Sequence, residues 1–352
     1  MKIALVSTPF IRVPPAGYGG TELFCYELAE ELTKRGHDVT LFTTGDSEVS
    51  CRKRALFKTA QWPPTAADEL HHCAWSFGEI AKGAYDLVHL NNPFGIPFTQ
   101  FVNIPCVYTI HHAAVESLSR LYAAHPAVHY VGISARQLEL EAPLRRTHVV
   151  HHGLSAHRYP PSARDEGYVL HIGRFCAEKG THVAIDIARA AGVELVLAGR
   201  VHSQDRPYFE EHIAPRLAGP GVSQFGEAEH DEKVRLMQGA RAVLCPLRWE
   251  EPFGLVAIEA MLCGAPLLGF ARGSFPEIVD PGVTGFLAPP DDSDELTRMV
   301  RSVGDFDRAA CARGARERFS TEVMTDNYER LYREVLSGRR APRAAEPTER
   351  AA

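Results

Sequence analysis

Short apolar runs alternate with amphipathic stretches along this chain, and the alternation begins twice. Ile3 to Ser7 reads as a buried strand and Pro14 to Gly20 as a Gly/Pro-rich loop. Thr21 to Arg35 reads as a helix, with Leu23, Phe24, Leu28 and Leu32 at helical spacing, and Gly36 ends it. Strands are expected at 39–43, 87–90, 107–110, 129–133 and 148–151. Strand, helix and strand joined by short links give right-handed crossovers and a parallel sheet.

Residues 154–167, with Pro160-Pro161 and mixed charges, interrupt the pattern. It restarts with strands at 168–172, 194–197, 222–225, 242–245 and 266–268. Helices are expected near 181–191, 208–217, 231–239 and 253–263. The expected organisation is therefore a domain over 1–153, a linker over 154–167 and a second domain over 168–320. A terminal helix over 321–336 and a disordered tail over 337–352 complete it. The fold class is α/β, with two Rossmann-like doubly wound domains facing across a cleft. A ligand would sit at the carboxyl ends of both sheets.

Composition narrows the partners. With 38 Lys plus Arg against 44 Asp plus Glu, the formal charge is −6, which excludes a large basic surface and with it a nucleic-acid partner. The run Ile3–Val6 is too short for a signal-peptide core, and no stretch approaches the ~20 apolar residues of a membrane span. Eight cysteines are scattered singly without a CxxC pair, several of them inside apolar runs. That is the usage of reduced, buried thiols, so a cytoplasmic location is expected, with neither a disulfide framework nor a zinc site.

Three segments carry chemistry. In Arg248-Trp249-Glu250-Glu251-Pro252-Phe253-Gly254-Leu255, a strand gives way to a helix opening after Pro252, with Pro252 in its first turn. The N–H groups of Phe253, Gly254 and Leu255 would form an anion-binding end. Glu259 lies among Leu255, Val256, Ile258, Ala260 and Met261, where a carboxylate needs a partner. A ligand hydroxyl would serve; equally, Glu259 could pair with a buried arginine and Glu251 act as a capping acid. In Gly173-Arg174-Phe175-Cys176-Ala177-Glu178-Lys179-Gly180, two cations on a strand-to-helix loop can point at one polyphosphate, or simply be solvated. Gly17 to Glu22 places paired glycines after the first strand. It is not the GxGxxG fingerprint, and no acid ends the second strand, which argues against a dinucleotide.

Together these segments resemble glycosyltransferase family 4. Glu251 and Glu259 match its E-x7-E motif within EPFGLVAIEAM, and GRFCAEKG matches its G-R-x4-K-G segment. GGTELFCYELAEELTKRGHDVTLFT and GAPLLGFARGSFPEIVDPGVTGFLAP match as well, so the resemblance runs from about Met1 to Leu336. It implies a retaining enzyme of the GT-B type, with a nucleotide-sugar donor in the cleft and no required metal or other cofactor. The final helix would cross back onto the first domain.

Residue by residue, the resemblance makes Arg174 and Lys179 the donor diphosphate clamp, Glu259 the ribose ligand and Glu251 the ligand of a donor-sugar hydroxyl. The Phe253, Gly254 and Leu255 amides would contact sugar and phosphate, and Gly19 and Gly20 would close over the donor. A histidine after the strand ending in Thr109-Ile110 would touch the sugar near its reacting carbon. His111 is preferred over His112 for that place. The expected reaction moves a hexose from a UDP-sugar, with UDP-glucose the first choice, to a hydroxyl of an acceptor the sequence does not specify. A nucleotide-sugar epimerase and a non-catalytic nucleotide-sugar-binding module are the alternatives.

Several features have plainer readings. Asp292-Ser293-Asp294 matches a DxD metal signature, but its position after Pro289-Pro290 and before an amphipathic stretch favours helix capping. Adjacent histidines, at 71–72 and 151–152, do not make a natural chelate. His37 is expected to be structural, while His89, ending a strand, could face the cleft and touch an acceptor.

Overall fold

The computed structural model describes residues 1–17 and 19–340, of which 339 and 340 only as helical backbone. Among the described residues, seven strands form one parallel sheet: β1 (Lys2–Val6), β2 (Asp38–Thr43), β3 (Arg52–Ala55), β4 (Leu87–Leu90), β5 (Cys106–Ile110), β6 (His129–Gly132) and β7 (Thr147–Val149). Their order is β3-β2-β1-β4-β5-β6-β7. A second sheet of six holds β8 (Val169–Ile172), β9 (Leu195–Ala198), β10 (Val222–Gly226), β11 (Ala242–Cys245), β12 (Leu267–Phe270) and β13 (Gly285–Ala288), in the order β10-β9-β8-β11-β12-β13. The first strand of each half has neighbours on both sides, β2 and β4 around β1, β9 and β11 around β8. Each sheet thus reverses its order beside its first strand, which opens a crevice at the strands' carboxyl ends.

The central strands are apolar throughout because both of their faces are covered: Ile3, Ala4, Leu5 and Val6 are all fully buried, as are Ala242, Val243 and Leu244. The helix Gly20–Lys34 crosses from β1 to β2 and buries Phe24, Leu28 and Leu32 against the first sheet. In the second half, the helix Leu255–Leu262 buries Ile258, Ala260 and Met261 between β11 and β12.

The chain's last described helix, Thr321–Arg340, returns to the first sheet. Met324, Tyr328, Leu331, Tyr332 and Val335 join the core of Ile3, Leu5, Phe24 and Leu28. The helix runs beyond Leu336, so residues 337–340 are helical rather than tail; the remainder of the expected tail lies outside the described residues.

This helix also accounts for His89. The ring is fully buried, with Nδ1 2.7 Å from the Tyr332 hydroxyl and Nε2 2.8 Å from the Thr109 hydroxyl, which lies 2.9 Å from the Tyr328 hydroxyl. Burial pushes its pKa down to about 3. His89 therefore pins the final helix to the sheet, and the expectation of a cleft-facing acceptor contact is corrected. His37 is structural as expected: its Nε2 lies 2.5 Å from Glu329 Oε1 on the same helix.

Other differences have local causes. The edge strand β3 is Arg-Lys-Arg-Ala, exposed along its length, and carries no apolar signal. The expected helix near 208–217 is present as a continuous helical run from Arg206 to Leu217, whose middle, Phe209–Ile213, is widened into a π-helix. The helix expected from Phe253 starts at Leu255, so Pro252 lies outside its first turn. Gly254 sets that boundary. Its φ is 89°, and a Cβ there would stand 2.9 Å from the Phe275 ring.

Candidate active site

Several of the residues singled out in the sequence lie on loops that leave the carboxyl ends of the strands. The loop after β8 carries Arg174 and Lys179, and the loop after β11 carries Trp249 and Glu251. The two loops are stitched together. Arg248 N–H donates to the Glu178 carbonyl at 2.8 Å, and Gly180, with φ 69°, packs so tightly that a Cβ would come within 2.1 Å of the Pro246 carbonyl oxygen. Only glycine permits that approach, which brings Lys179 to Glu251.

Lys179 Nζ forms an ion pair with Glu251 Oε2 and stands 5.1 Å from the centre of the Trp249 ring. The Trp249 indole N–H donates to the same Oε2 at 3.0 Å. Glu251 makes no capping bond to the helix that follows, so the alternative of a capping acid is set aside. Arg174 is held from two sides, by Glu178 at 2.7 Å and Asp205 at 3.3 Å. These acids hold the guanidinium on the same loop that carries Lys179.

Glu259 is buried on the Leu255–Leu262 helix, and its Oε1 receives both the Tyr159 hydroxyl at 2.9 Å and the Lys233 ammonium. Its partner is thus a lysine and a phenol rather than an arginine. Sequence gave no sign of either: Lys233 sits on a polar helix, His230–Gly239, and Tyr159 in the connecting segment.

The first half contributes from across the crevice. Gly20 opens its helix with its Cα so close to Leu255 that a Cβ would be 3.4 Å from Leu255 Cδ1. Gly19 packs on Pro15, where a Cβ would fall 2.8 Å from that side chain. Tyr18, between Gly17 and Gly19, lies outside the described residues. Beside β1, the buried Glu22 accepts a bond from the Thr8 hydroxyl, and burial raises its pKa.

His111 follows β5, and its Nε2–H donates to Asn91 Oδ1 at 2.8 Å. Its Nδ1 is buried with no hydrogen-bond partner among the described residues. Burial, reinforced by the neighbouring His152, His89 and His112, drives its pKa well below the usual histidine range. The ring is therefore neutral at physiological pH, and Nδ1 offers a bare lone pair. His112, by contrast, has both nitrogens engaged, with Ala113 O at 2.7 Å and the Tyr122 hydroxyl at 2.6 Å. His111 stacks on His152 at 5.4 Å, and His152 meets Phe253 edge-on at 5.1 Å. This aromatic chain joins the first sheet to the loop that carries Glu251. Sequence reasoning read 151–152 only as a poor chelate and missed this packing role.

Polar contacts close the same seam. Ser134 Oγ donates to the Pro252 carbonyl at 2.7 Å, and Arg136 Nε to Glu250 at 2.9 Å. Glu277 accepts the backbone N–H groups of Ala135 and Arg136 at 2.8 and 2.7 Å. Asp292 Oδ1 accepts the Glu295 N–H at 2.9 Å, so the first acid of the DxD-like segment caps the helix Ser293–Ser302.

This arrangement offers two cations, a carboxylate and a helix start to one ligand from the second half, with a neutral histidine opposite. Comparison with known proteins identifies the family. The model described as Glycosyltransferase Family 4 matches residues 18–158, and that described as Glycosyl transferases group 1 matches residues 156–318. The chain belongs to glycosyltransferase family 4. Within the family it is 26% identical to a glycogen synthase of Mycobacterium tuberculosis, over 99% of this chain and 98% of that one. A sucrose-phosphate synthase from Thermosynechococcus elongatus shares the architecture with a TM-score of 0.80 at 22% identity, over 96% of this chain and all of that one. Anabaena Alr3699/HepE, solved in complex with UDP and glucose, aligns with a TM-score of 0.73 at 21% identity, over 95% of this chain and 100% of its own. This family 4 glycosyltransferase therefore has the GT-B fold, two Rossmann-like halves around a shared cleft. No helix among its described residues is long and apolar enough to cross a membrane.

Proposed function

We propose that this family 4 enzyme transfers a hexose, with retention at the anomeric carbon, from a nucleoside diphosphate sugar to an acceptor hydroxyl. The observation that carries the reading is the convergence of Lys179, Glu251 and Trp249 at the mouth of β8 and β11. A site that holds a cation and a carboxylate in contact can give the cation to a diphosphate and the carboxylate to a sugar hydroxyl. UDP-glucose is the first donor to test, because the similar HepE binds UDP and glucose.

In this reading Arg174 and Lys179 neutralise charge that grows on the diphosphate as the bond to the sugar breaks, an interaction stronger in the transition state than in the ground state. The C1–O bond breaks with its electron pair remaining on the β-phosphate oxygen. The acceptor oxygen bonds to C1 on the same face, and its proton passes to that phosphate oxygen. Glu251 accepts a sugar hydroxyl, Glu259 the ribose hydroxyls, and the amides of Phe253, Gly254 and Leu255 orient sugar and phosphate. Gly19 and Gly20 close over the donor, and His111 Nδ1 accepts a sugar hydroxyl near C1. With two fixed cations at the diphosphate, the reaction requires no metal.

The test is direct. The purified protein, incubated with UDP-glucose and with other nucleotide sugars in turn, is expected to release a nucleoside diphosphate from at least one of them, even with water as acceptor. Absence of both release and thermal stabilisation across the panel would overturn the proposal.

A further inference from the structure

The Lys179–Glu251 pair has two jobs that exclude each other. The Lys179 ammonium is paired with Glu251 Oε2, the same oxygen that accepts the Trp249 N–H at 3.0 Å. If the donor reading above is right, Lys179 belongs to the diphosphate and Glu251 to the sugar. A diphosphate must therefore draw the ammonium from Glu251, and a sugar hydroxyl must replace it there. The Glu251 side chain is only 12% exposed, so a carboxylate left alone in that place is poorly solvated.

We propose that Lys179 and Glu251 couple the two halves of donor recognition, and that Trp249 is the positioning residue for both. Diphosphate binding alone is penalised, because it strips Glu251 of its cation. Binding of diphosphate and sugar together is not, because the sugar hydroxyl satisfies the carboxylate. Trp249 makes the exchange local. Its N–H keeps Glu251 oriented after the ammonium leaves, and its ring face, 5.1 Å from Nζ, steadies the ammonium while it is paired. An intact donor is thus favoured over its nucleoside diphosphate product, which helps product leave.

The inference makes a demand that simple damage to a site would not meet. Glu251→Gln removes the competing charge, so a nucleoside diphosphate should bind this variant more tightly than wild type, by about tenfold, within the ordinary range of coupling between two ligands. Turnover of the donor should fall at the same time. Trp249→Phe keeps the ring and loses the N–H. Its affinity for the diphosphate should stay within about twofold while kcat falls about tenfold at little-changed KM, the loss expected for one hydrogen bond to a charged group.

The experiment is calorimetric titration of wild type, Glu251→Gln and Trp249→Phe with UDP, GDP and ADP, joined to steady-state kinetics on the corresponding nucleotide sugar. Tighter diphosphate binding by Glu251→Gln supports the coupling. Equal or weaker binding, with wild type binding normally, overturns it and leaves the donor reading standing. Failure of wild type to bind any of the three diphosphates removes both. Should the Glu251 variant not fold, wild type labelled with 5-fluorotryptophan serves, its three tryptophans being Trp62, Trp75 and Trp249. The Trp249 resonance is expected to move when diphosphate binds; a resonance that stays in place overturns the inference.

Discussion

Lys179→Met separates catalysis from stability most cleanly. The substitution keeps much of the stem and removes the ammonium. Two consequences follow, one from the geometry and one from the proposed function. Among the described residues, the Glu251 carboxylate retains only the Trp249 N–H at 3.0 Å, and in the proposed reaction the leaving diphosphate loses one of its two cations. The first effect bears on stability. Breaking a fully buried pair costs about 3–5 kcal/mol. Lys179 is 30% exposed, so water reaches Glu251 once the ammonium is gone, and the cost falls to roughly 1–2 kcal/mol between the buried and surface limits. The melting temperature should drop by a few degrees, on the scale of about 2–4 °C per kcal/mol for domains of this kind.

The second effect is larger. Removing one preorganised charge or donor aimed at developing charge costs about 2.7–4 kcal/mol, or 10²–10³ in kcat. The assay is initial-rate release of nucleoside diphosphate from saturating donor, with melting followed on the same samples. A fall of about two orders of magnitude in kcat with a protein still folded at the assay temperature is the expected result. Turnover within a few-fold of wild type would refute the clamp assignment, whatever happens to the melting temperature.

Other expectations can be checked in parallel. Arg174→Ala should lower kcat by about 10²–10³ for the same reason, since Asp205 and Glu178 hold its guanidinium in place on the loop it shares with Lys179. EDTA should leave the rate unchanged, and restoration of a lost rate by a divalent cation would contradict metal independence. Arg308 is buried and donates to the carbonyls of Ser162, Ala240 and Gln238 at 2.8, 2.7 and 2.8 Å; Arg308→Met should therefore lower unfolding free energy by about 2–4 kcal/mol in urea titrations, through unsatisfied carbonyls. For acid stability, burial depresses His89 and His152 to about 3, below the unfolded value near 6.5. The unfolded chain thus binds more protons between those values, so their contribution is present above pH 6.5 and lost as pH falls toward 3. Burial raises Glu22 and Glu69, which act in the opposite sense, so the test is a difference: His89→Gln should lose less stability than wild type between pH 7 and pH 5.5.

Legibility in the sequence followed the physics of each element. Strands buried on both faces, such as Ile3–Val6 and Ala242–Cys245, advertise themselves as unbroken apolar runs. The edge strand Arg52–Ala55 has no buried face to encode, and so was silent. Site residues on tight strand-to-helix loops were visible because glycine marks close approach: Gly180 and Gly254 flank Lys179 and Glu251. Their partners were not. Lys233, Tyr159 and Asp205 reach their partners by tertiary packing, with no spacing that links them, and Trp249, though it stands in the motif, has no pattern that announces its bond to Glu251. His89 failed for a related reason. A histidine at the end of a central strand looks like a cleft residue until a helix from more than two hundred residues downstream covers it. The domain limits at 153 and 167 remain our proposal, consistent with strands that end at Val149 and resume at Val169.

The stereochemistry of the first product tests the central claim most directly. Proton NMR can follow a nucleotide α-sugar identified by the donor panel, with water as acceptor, before the free sugar equilibrates. Same-face transfer predicts that the α-anomer appears first, in step with the nucleoside diphosphate. Initial appearance of the β-anomer would contradict retention and the chemistry assigned to this cleft.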